Sequence, residues 1–143
     1  MKTDYKVIPI FGVFIFSLLY FTGCDNATGN DSSNEKTELE GTWIGTEPGS
    51  SAEVKLIVSG HSITAYLGEI EIYTGTFVLN ITTTPKQIDT DIRESSLQQY
   101  IGKKSKGIYK IENGVLTITS NEPGDPNRPE SFSDGRTFFV TKE

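Results

Sequence analysis

Asp89 and Asp91 are the residues of this 143-residue chain whose type and spacing come nearest to a catalytic or metal-binding arrangement. Alternate residues of a strand project on the same face, so the two carboxylates lie together if this stretch is extended. Such a pair can bind calcium or act as general acid and base. The sequence supplies no complete set of partners for either role, and we expect an outward, solvated face. A hydrolase that uses these two residues is the enzymatic alternative.

The other reactive side chains stand alone in the sequence. His61 is the only histidine and follows a Ser-Gly pair that indicates a turn, where we expect it to be solvated. Zinc sites draw on several histidines and cysteines, and a Gly-x-Ser-x-Gly nucleophile motif is missing. The lysine-rich segment 103–106 lacks the glycine spacing of a phosphate-binding loop, and we expect it to be mobile and solvated. We therefore expect a protein that is not an enzyme, with no catalytic residue, metal or cofactor.

Cys24 is the only cysteine, so the chain forms no internal disulfide. A basic start, an apolar run from Val7 to Phe21 and small residues before Cys24 describe an export signal. The run is short for a membrane-spanning helix, which needs about 20 apolar residues. The position of Cys24 after Thr22-Gly23 resembles the lipobox of bacterial lipoproteins, with Phe where that family usually has Leu. The resemblance implies cleavage before Cys24, acylation of its thiol and a lipid anchor of the palmitate type.

Composition changes sharply along the chain. Residues 1–23 form the expected signal peptide, residues 24–38 a flexible polar tether, and residues 39–143 one folded domain. The formal net charge of −6 argues against nucleic-acid binding. We expect a monomer in the cell envelope, facing the periplasm or the exterior and held to a membrane by its lipid.

From Gly41 onward the apolar residues recur with a period of two, which indicates strands. Asn113-Gly114 is a strong hairpin signal, and Gly75 indicates a bend or bulge in a long strand. Residues 94–106 are the least regular and predict one helical turn or a long loop. The predicted strands are Gly41–Thr46, Glu53–Ser59, Ser62–Leu67, Ile70–Ile81, Lys86–Ile92, Gly107–Ile111, Val115–Ser120 and Arg136–Thr141. Short connections between about eight strands favour an all-β, antiparallel up-and-down barrel, with a β-sandwich as the alternative.

Five short motifs occur in a characteristic order in this segment. They are Leu39-x-Gly41-x-Trp43, Gly75-Thr76-Phe77, Pro85-Lys86-x-Ile88-Asp89, Gly107-Ile108-Tyr109 and Arg128-Pro129-x-x-Phe132. The ordered set resembles an uncharacterised lipocalin-like domain family that is abundant in planctomycete-type bacteria. The resemblance runs from Leu39 to about Lys142. It implies a small antiparallel barrel, attached to secretion signals or envelope proteins, with no assigned activity.

Trp43 is the only tryptophan, and at the start of a small barrel it is expected to plug one end, with its ring N–H bonded to a carbonyl. Gly41 permits the tight turn that brings the chain beneath the ring. The Gly-x-Trp opening also resembles true lipocalins, in which a late arginine packs on this Trp. That resemblance implies a cation–π contact from Arg136, or else from Arg128.

A cavity inside the barrel, if it exists, is expected to be lined by Trp43 together with Tyr66, Tyr73, Tyr100 and Tyr109. The function expected from the sequence is non-catalytic binding of a small apolar ligand or of a protein partner. An enclosed cavity of a few hundred Å³ favours the ligand, and a filled barrel with an exposed apolar or loop patch favours the protein. An inhibitory or structural envelope module is a further alternative.

Overall fold

The structure is a computed structural model that describes residues 36–143, and it confirms an all-β, eight-stranded antiparallel barrel. The signal peptide and Cys24 lie outside the described residues. The strands are β1 Gly41–Thr46, β2 Glu53–Ser59, β3 Ser62–Leu67, β4 Ile70–Asn80, β5 Lys86–Ser95, β6 Lys104–Glu112, β7 Val115–Ser120 and β8 Arg136–Lys142. Each strand pairs with the next, and β8 pairs back on β1, which closes the sheet and rules out the sandwich. None of the helices in residues 36–143 has the length and apolar character needed to cross a lipid bilayer.

Strand β5 ends later in the chain, and strand β6 begins earlier, than the sequence predicted. Between them lies a single 3-10 turn, Gln98–Tyr100, which is the expected helical turn. The expectation of a mobile lysine loop is wrong, because Lys104 and Lys106 belong to β6. Lys104 forms an ion pair with Asp91 at 3.3 Å, and the Lys106 ammonium donates a 2.7 Å hydrogen bond to the carbonyl of Pro126. Both lysines are therefore held on the barrel wall.

Gly75 marks an irregularity in β4, as expected. The register of the β4–β5 pair shifts between Thr74 and Gly75, and a Cβ at Gly75 would lie 2.4 Å from the carbonyl oxygen of Asp91. Only glycine permits this approach of the two backbones. The bulge bends β4 around the barrel.

The two-residue alternation places one face of every strand in the interior. The buried apolar side chains there include Trp43, Leu56, Ile63, Phe77, Ile88, Tyr109, Leu116 and Val140. The chain enters the barrel across one end, at residues 36–41. We call this end, with Trp43 and the β2–β3 and β6–β7 turns, the closed end. The opposite end, where β8 begins, is the open end.

A long connection, residues 121–135, runs over the outer wall of the barrel between β7 and β8. We call it the strap. Its Pro129 is buried, and Thr137 Oγ1 donates a 2.9 Å hydrogen bond to the carbonyl of Phe132. The strap also covers the outward-facing Thr119, which is fully buried and hydrogen-bonded to Thr137 at 2.7 Å. The segment is thus packed against the wall at both of these points.

Candidate functional site

Trp43 closes the barrel at the end where the chain enters. It is 3% exposed, and its ring N–H donates a 2.7 Å hydrogen bond to the carbonyl of Leu39. Gly41 has a φ of +120°, which L side chains rarely adopt, and a Cβ there would lie 2.7 Å from Lys142 Cε. The sequence-based prediction of a tryptophan plug above a tightly turned glycine agrees with this arrangement.

Lys142, and not an arginine, lies over the Trp43 ring, with its ammonium 5.7 Å from the ring centroid. This corrects the expectation for Arg136 and Arg128. Trp43 is paired in register with Lys142, whereas Arg136 lies six residues earlier on β8 and therefore at the open end. Arg128 belongs to the strap on the outer wall. The cation–aromatic contact is present, but a different basic residue supplies it.

Glu38 fastens the incoming chain to the closed end. It accepts a 2.5 Å hydrogen bond from the Tyr109 hydroxyl and bonds of 2.8 and 2.7 Å from the Lys86 ammonium. Burial raises the pKa of Glu38, but the bonds from Lys86 and Tyr109 outweigh it and leave the pKa below its ordinary value. Burial and the carboxylate raise the pKa of Tyr109. Tyr109 was expected to line an interior cavity; instead its hydroxyl is held by Glu38.

Two small hollows lie inside the open end. The upper hollow measures about 80 Å³ and the lower about 30 Å³. Both are lined by Ile72, Tyr73, Arg136 and Phe138. Neither approaches the 300 Å³ or more of a typical ligand pocket. Both hollows lie near this mouth, and the buried side chains of the core fill the barrel toward the closed end.

The two hollows differ in polarity. Aliphatic side chains dominate the lower hollow, among them Val54, Leu56 and Leu67. More polar residues border the upper hollow, including Tyr100, Asn121 and the exposed Glu122. Tyr73 lines both hollows, as expected, whereas Tyr66 alternates to the outer face of β3, where Lys55 lies over its ring. A ligand would meet hydrogen-bonding groups first and apolar groups below them.

Arg136 and Glu47 form an ion pair across the mouth. The guanidinium Nε and Nη2 each lie 2.7 Å from one oxygen of the Glu47 carboxylate, a two-point contact. The guanidinium carbon also lies 5.2 Å from the centroid of the Phe138 ring. The bond from Arg136 lowers the pKa of Glu47, and the bond from Glu47 raises the pKa of Arg136. The pair stays ionised over the ordinary pH range.

Tyr73 stands between the two hollows. Burial raises the pKa of its hydroxyl to about 12. Within residues 36–143, neither its hydroxyl nor that of Tyr100 has a hydrogen-bond partner. Both residues line the upper hollow. Their hydroxyls are the groups that a bound molecule can use.

Asp89 and Asp91 point outward from β5, as expected, and each has its own cationic partner. Arg128 of the strap donates to Asp89 at 2.5 Å and to the carbonyls of Ile88 and Gly107 at 3.3 and 2.6 Å. Asp91 pairs with Lys104. Arg128 therefore holds the strap on the wall, and neither carboxylate lines the hollows of the open end.

His61 lies in the β2–β3 turn, but it is half-buried, which corrects the expectation of a solvated ring. Its ring packs 5.9 Å from that of Phe77, and within the described residues its buried Nδ1 has no hydrogen-bond partner. In the same part of the chain, no three His, Cys, Asp or Glu side chains are placed to share a metal ion.

Sequence reasoning included Tyr100 among the expected cavity-lining residues but missed Glu47 and Phe138 as residues of the mouth. The signal for Phe138 was available, because it shares the inward face of β8 with Arg136. Glu47 lies outside the strands, where alternation gives no direction. No family model, curated protein or solved structure matches the chain, so the site has to be interpreted from its own geometry.

Proposed function

We propose that this protein is a lipid-anchored, non-catalytic binding module of the cell envelope that binds a small ligand, or the end group of a larger one, at the open end of its barrel. The observation that carries the proposal is the asymmetry of the interior. Trp43, Leu39 and Lys142 fill the end where the chain enters, and the hollows lie at the other. An anchor at Cys24 precedes the closed end in the chain, so the mouth can face away from the membrane.

The available groups at the mouth suit reversible binding. The hydroxyls of Tyr73 and Tyr100, which have no hydrogen-bond partner within residues 36–143, can hydrogen-bond a ligand, and aliphatic groups beneath them can bury its apolar part. The Arg136 guanidinium is bound to Glu47, so it is not placed to activate a nucleophile. Asp89 and Asp91, the enzymatic alternative, lie on the outer wall with separate partners. These contacts favour binding over hydrolysis.

An NMR titration of the isotope-labelled protein with small fragments tests the proposal. We expect amide shift changes at Ile72, Tyr73 and Phe138, with no change at Trp43. Changes confined to the closed end, or no saturable change at the mouth with any fragment, would contradict binding at the open end.

The anchor has its own test in bacteria that acylate lipoproteins. Labelled palmitate should enter the wild-type protein and the protein should fractionate with membranes. The Cys24→Ala variant should do neither. Equal labelling of the two proteins would remove the anchor from the proposal.

A protein partner on the outer wall is the second candidate, and a specific pattern favours it. The six outward positions of β7, β8 and β1 that are not buried carry no charge; they are Val115, Phe139, Thr141, Thr42, Ile44 and Thr46. Phe139 is 45% exposed at the centre of this face. An uncharged face with an exposed aromatic ring suits contact with another protein surface.

A photo-crosslinking residue at Phe139, introduced in intact cells, tests this second candidate. We expect one discrete adduct from that position and none from the exposed turn residue Glu69. A Thr141→Lys substitution puts a charge on the face and should abolish the adduct. An adduct that survives Thr141→Lys, or that forms equally at Glu69, would argue against a specific partner on this face.

A further inference from the structure

We propose that the open end selects an uncharged ligand, namely a carboxamide or alcohol on a short branched alkyl chain, or that end group on a larger molecule. This inference rests on the proposed function, because it names the chemistry that the same site accepts. It follows from the size of the hollows, the balance of charge at the mouth and the hydrogen-bonding groups that are left without partners.

The volume of the hollows limits the ligand. They measure about 80 and about 30 Å³ and share four lining residues. Since a cavity of about 10–15 Å³ on the same measure holds one water molecule, the hollows admit a compact group of a few carbon, nitrogen or oxygen atoms. A whole fatty acid or a flavin is too large. A branched four-carbon group with one polar function has the right size.

Charge at the mouth disfavours both ions. The Arg136 guanidinium, the only cationic group among the residues that line the two hollows, is neutralised by Glu47. An anion therefore meets no unpaired positive charge in the lining. A cation meets the guanidinium that lies over Phe138. Either ion would also lose hydration above an apolar hollow, which costs free energy without a partner of opposite charge.

The unused hydrogen-bonding groups select the polar function. A guanidinium has five N–H donors, and Arg136 gives only Nε–H and one Nη2–H to Glu47. The remaining N–H groups of Arg136 and the hydroxyls of Tyr73 and Tyr100 are hydrogen-bond donors that a ligand oxygen can accept from. A neutral carbonyl or hydroxyl oxygen provides that acceptor. The branched alkyl group would then enter the lower hollow, between Leu56 and Leu67.

Three probes of the same shape separate these arguments: isobutyramide, isobutyrate and isobutyramidinium. They have the same branched chain and a planar head, and at neutral pH they are uncharged, anionic and cationic. We expect isobutyramide to bind the full chain with a Kd at least tenfold below that of either ion, measured by NMR shift changes at Tyr73 and Phe138.

Two variants locate the bound group. Ala65→Val adds two carbons beside the lower hollow and should raise the Kd for isobutyramide at least tenfold. Ser62→Val, on the exposed face of the same strand, should leave that Kd unchanged. Tyr73→Phe keeps the ring and removes the hydroxyl, and should weaken binding about three- to tenfold, as for one neutral hydrogen bond. A dispersed NMR spectrum of each variant shows that it is folded.

The outcomes separate this inference from the proposed function. If isobutyrate or isobutyramidinium binds as tightly as the amide at Tyr73, selection for an uncharged ligand is wrong and binding at the open end stands. If none of the three probes binds and no other fragment shifts the mouth residues, both proposals are wrong. Equal affinities of wild type and Ala65→Val would overturn the placement of the alkyl group.

Discussion

The Tyr109 hydroxyl lies 2.5 Å from the Glu38 carboxylate, although the two residues are 71 positions apart in the chain. Tyr109 belongs to a barrel strand, and Glu38 belongs to the segment that leads into the barrel. Lys86 completes the contact with an ion pair at 2.7 Å. The incoming chain is therefore attached to the folded wall at a defined point.

Removing this hydroxyl should destabilise the barrel. We expect Tyr109→Phe to lower the free energy of unfolding by about 1–2 kcal/mol, since a hydrogen bond to a charged group is lost and Glu38 is partly exposed. Denaturant unfolding measures the loss. Tyr66→Phe, whose hydroxyl lies 3.4 Å from the exposed Glu71, is the control and should cost less than about 0.5 kcal/mol. Equal losses would mean that the contact with Glu38 is not special.

The same contact predicts how stability depends on pH. The pKa of Glu38 is lowered from 4.5, so its contribution is full above that pH and disappears as the pH falls through the lowered value. The pKa of Tyr109 is raised from 10.0, so its contribution is full below pH 10 and disappears at higher pH. The pKa of Tyr73 is raised to about 12 and adds a loss between pH 10 and that value. Unfolding measured across pH should show both declines, and Tyr109→Phe should reduce the alkaline decline to the part due to Tyr73 and the acid decline only in part, since Lys86 still bonds Glu38. Unchanged slopes would contradict the assignment.

Trp43 should be the largest single contributor to the closed end. We expect Trp43→Ala to cost about 3–5 kcal/mol of unfolding free energy, because a nearly fully buried ring leaves a cavity. Phe139→Ala removes an aromatic ring that is 45% exposed and should cost about 1 kcal/mol or less. A loss below 1 kcal/mol at Trp43 would mean that the ring is not a core plug.

Gly75 should tolerate no side chain. The added Cβ of Gly75→Ala would lie 2.4 Å from a backbone carbonyl oxygen, so β4 and β5 must separate. We expect a loss of about 2–3 kcal/mol in thermal or denaturant unfolding. Thr76→Ala, at the next position of β4, should cost well under that. Wild-type stability of Gly75→Ala would show that the bulge can relax.

Alternation of apolar residues sufficed to predict the barrel, because each strand buries one face and short turns join neighbours. Val54, Leu56 and Val58 in β2 are an example, and all three are buried. The ends of β5 and β6 were harder to predict. The parts of these two strands nearest the open end carry polar side chains such as Lys104, which are held by partners on the neighbouring strand rather than by burial.

The contacts of the site depended on register and on loops, which a single sequence does not specify. Lys142 and Arg136 lie on the same face of β8, and only the pairing of β1 with β8 decides which of them reaches Trp43. Tyr73 and Tyr109 both carry a phenol in a strand, yet one borders a hollow and the other meets Glu38. That difference comes from the chain segment crossing the closed end, which the sequence presents as polar and featureless.

Crystals of the protein pressurised with xenon test most directly whether the interior is hollow only at the open end. Xenon binds dry apolar cavities and depends on no assumption about the natural ligand. We predict one xenon site in the lower hollow, between Leu56, Tyr73 and Phe138, and none beneath Trp43. Xenon beneath Trp43, or an unoccupied lower hollow at saturating pressure, would contradict the account.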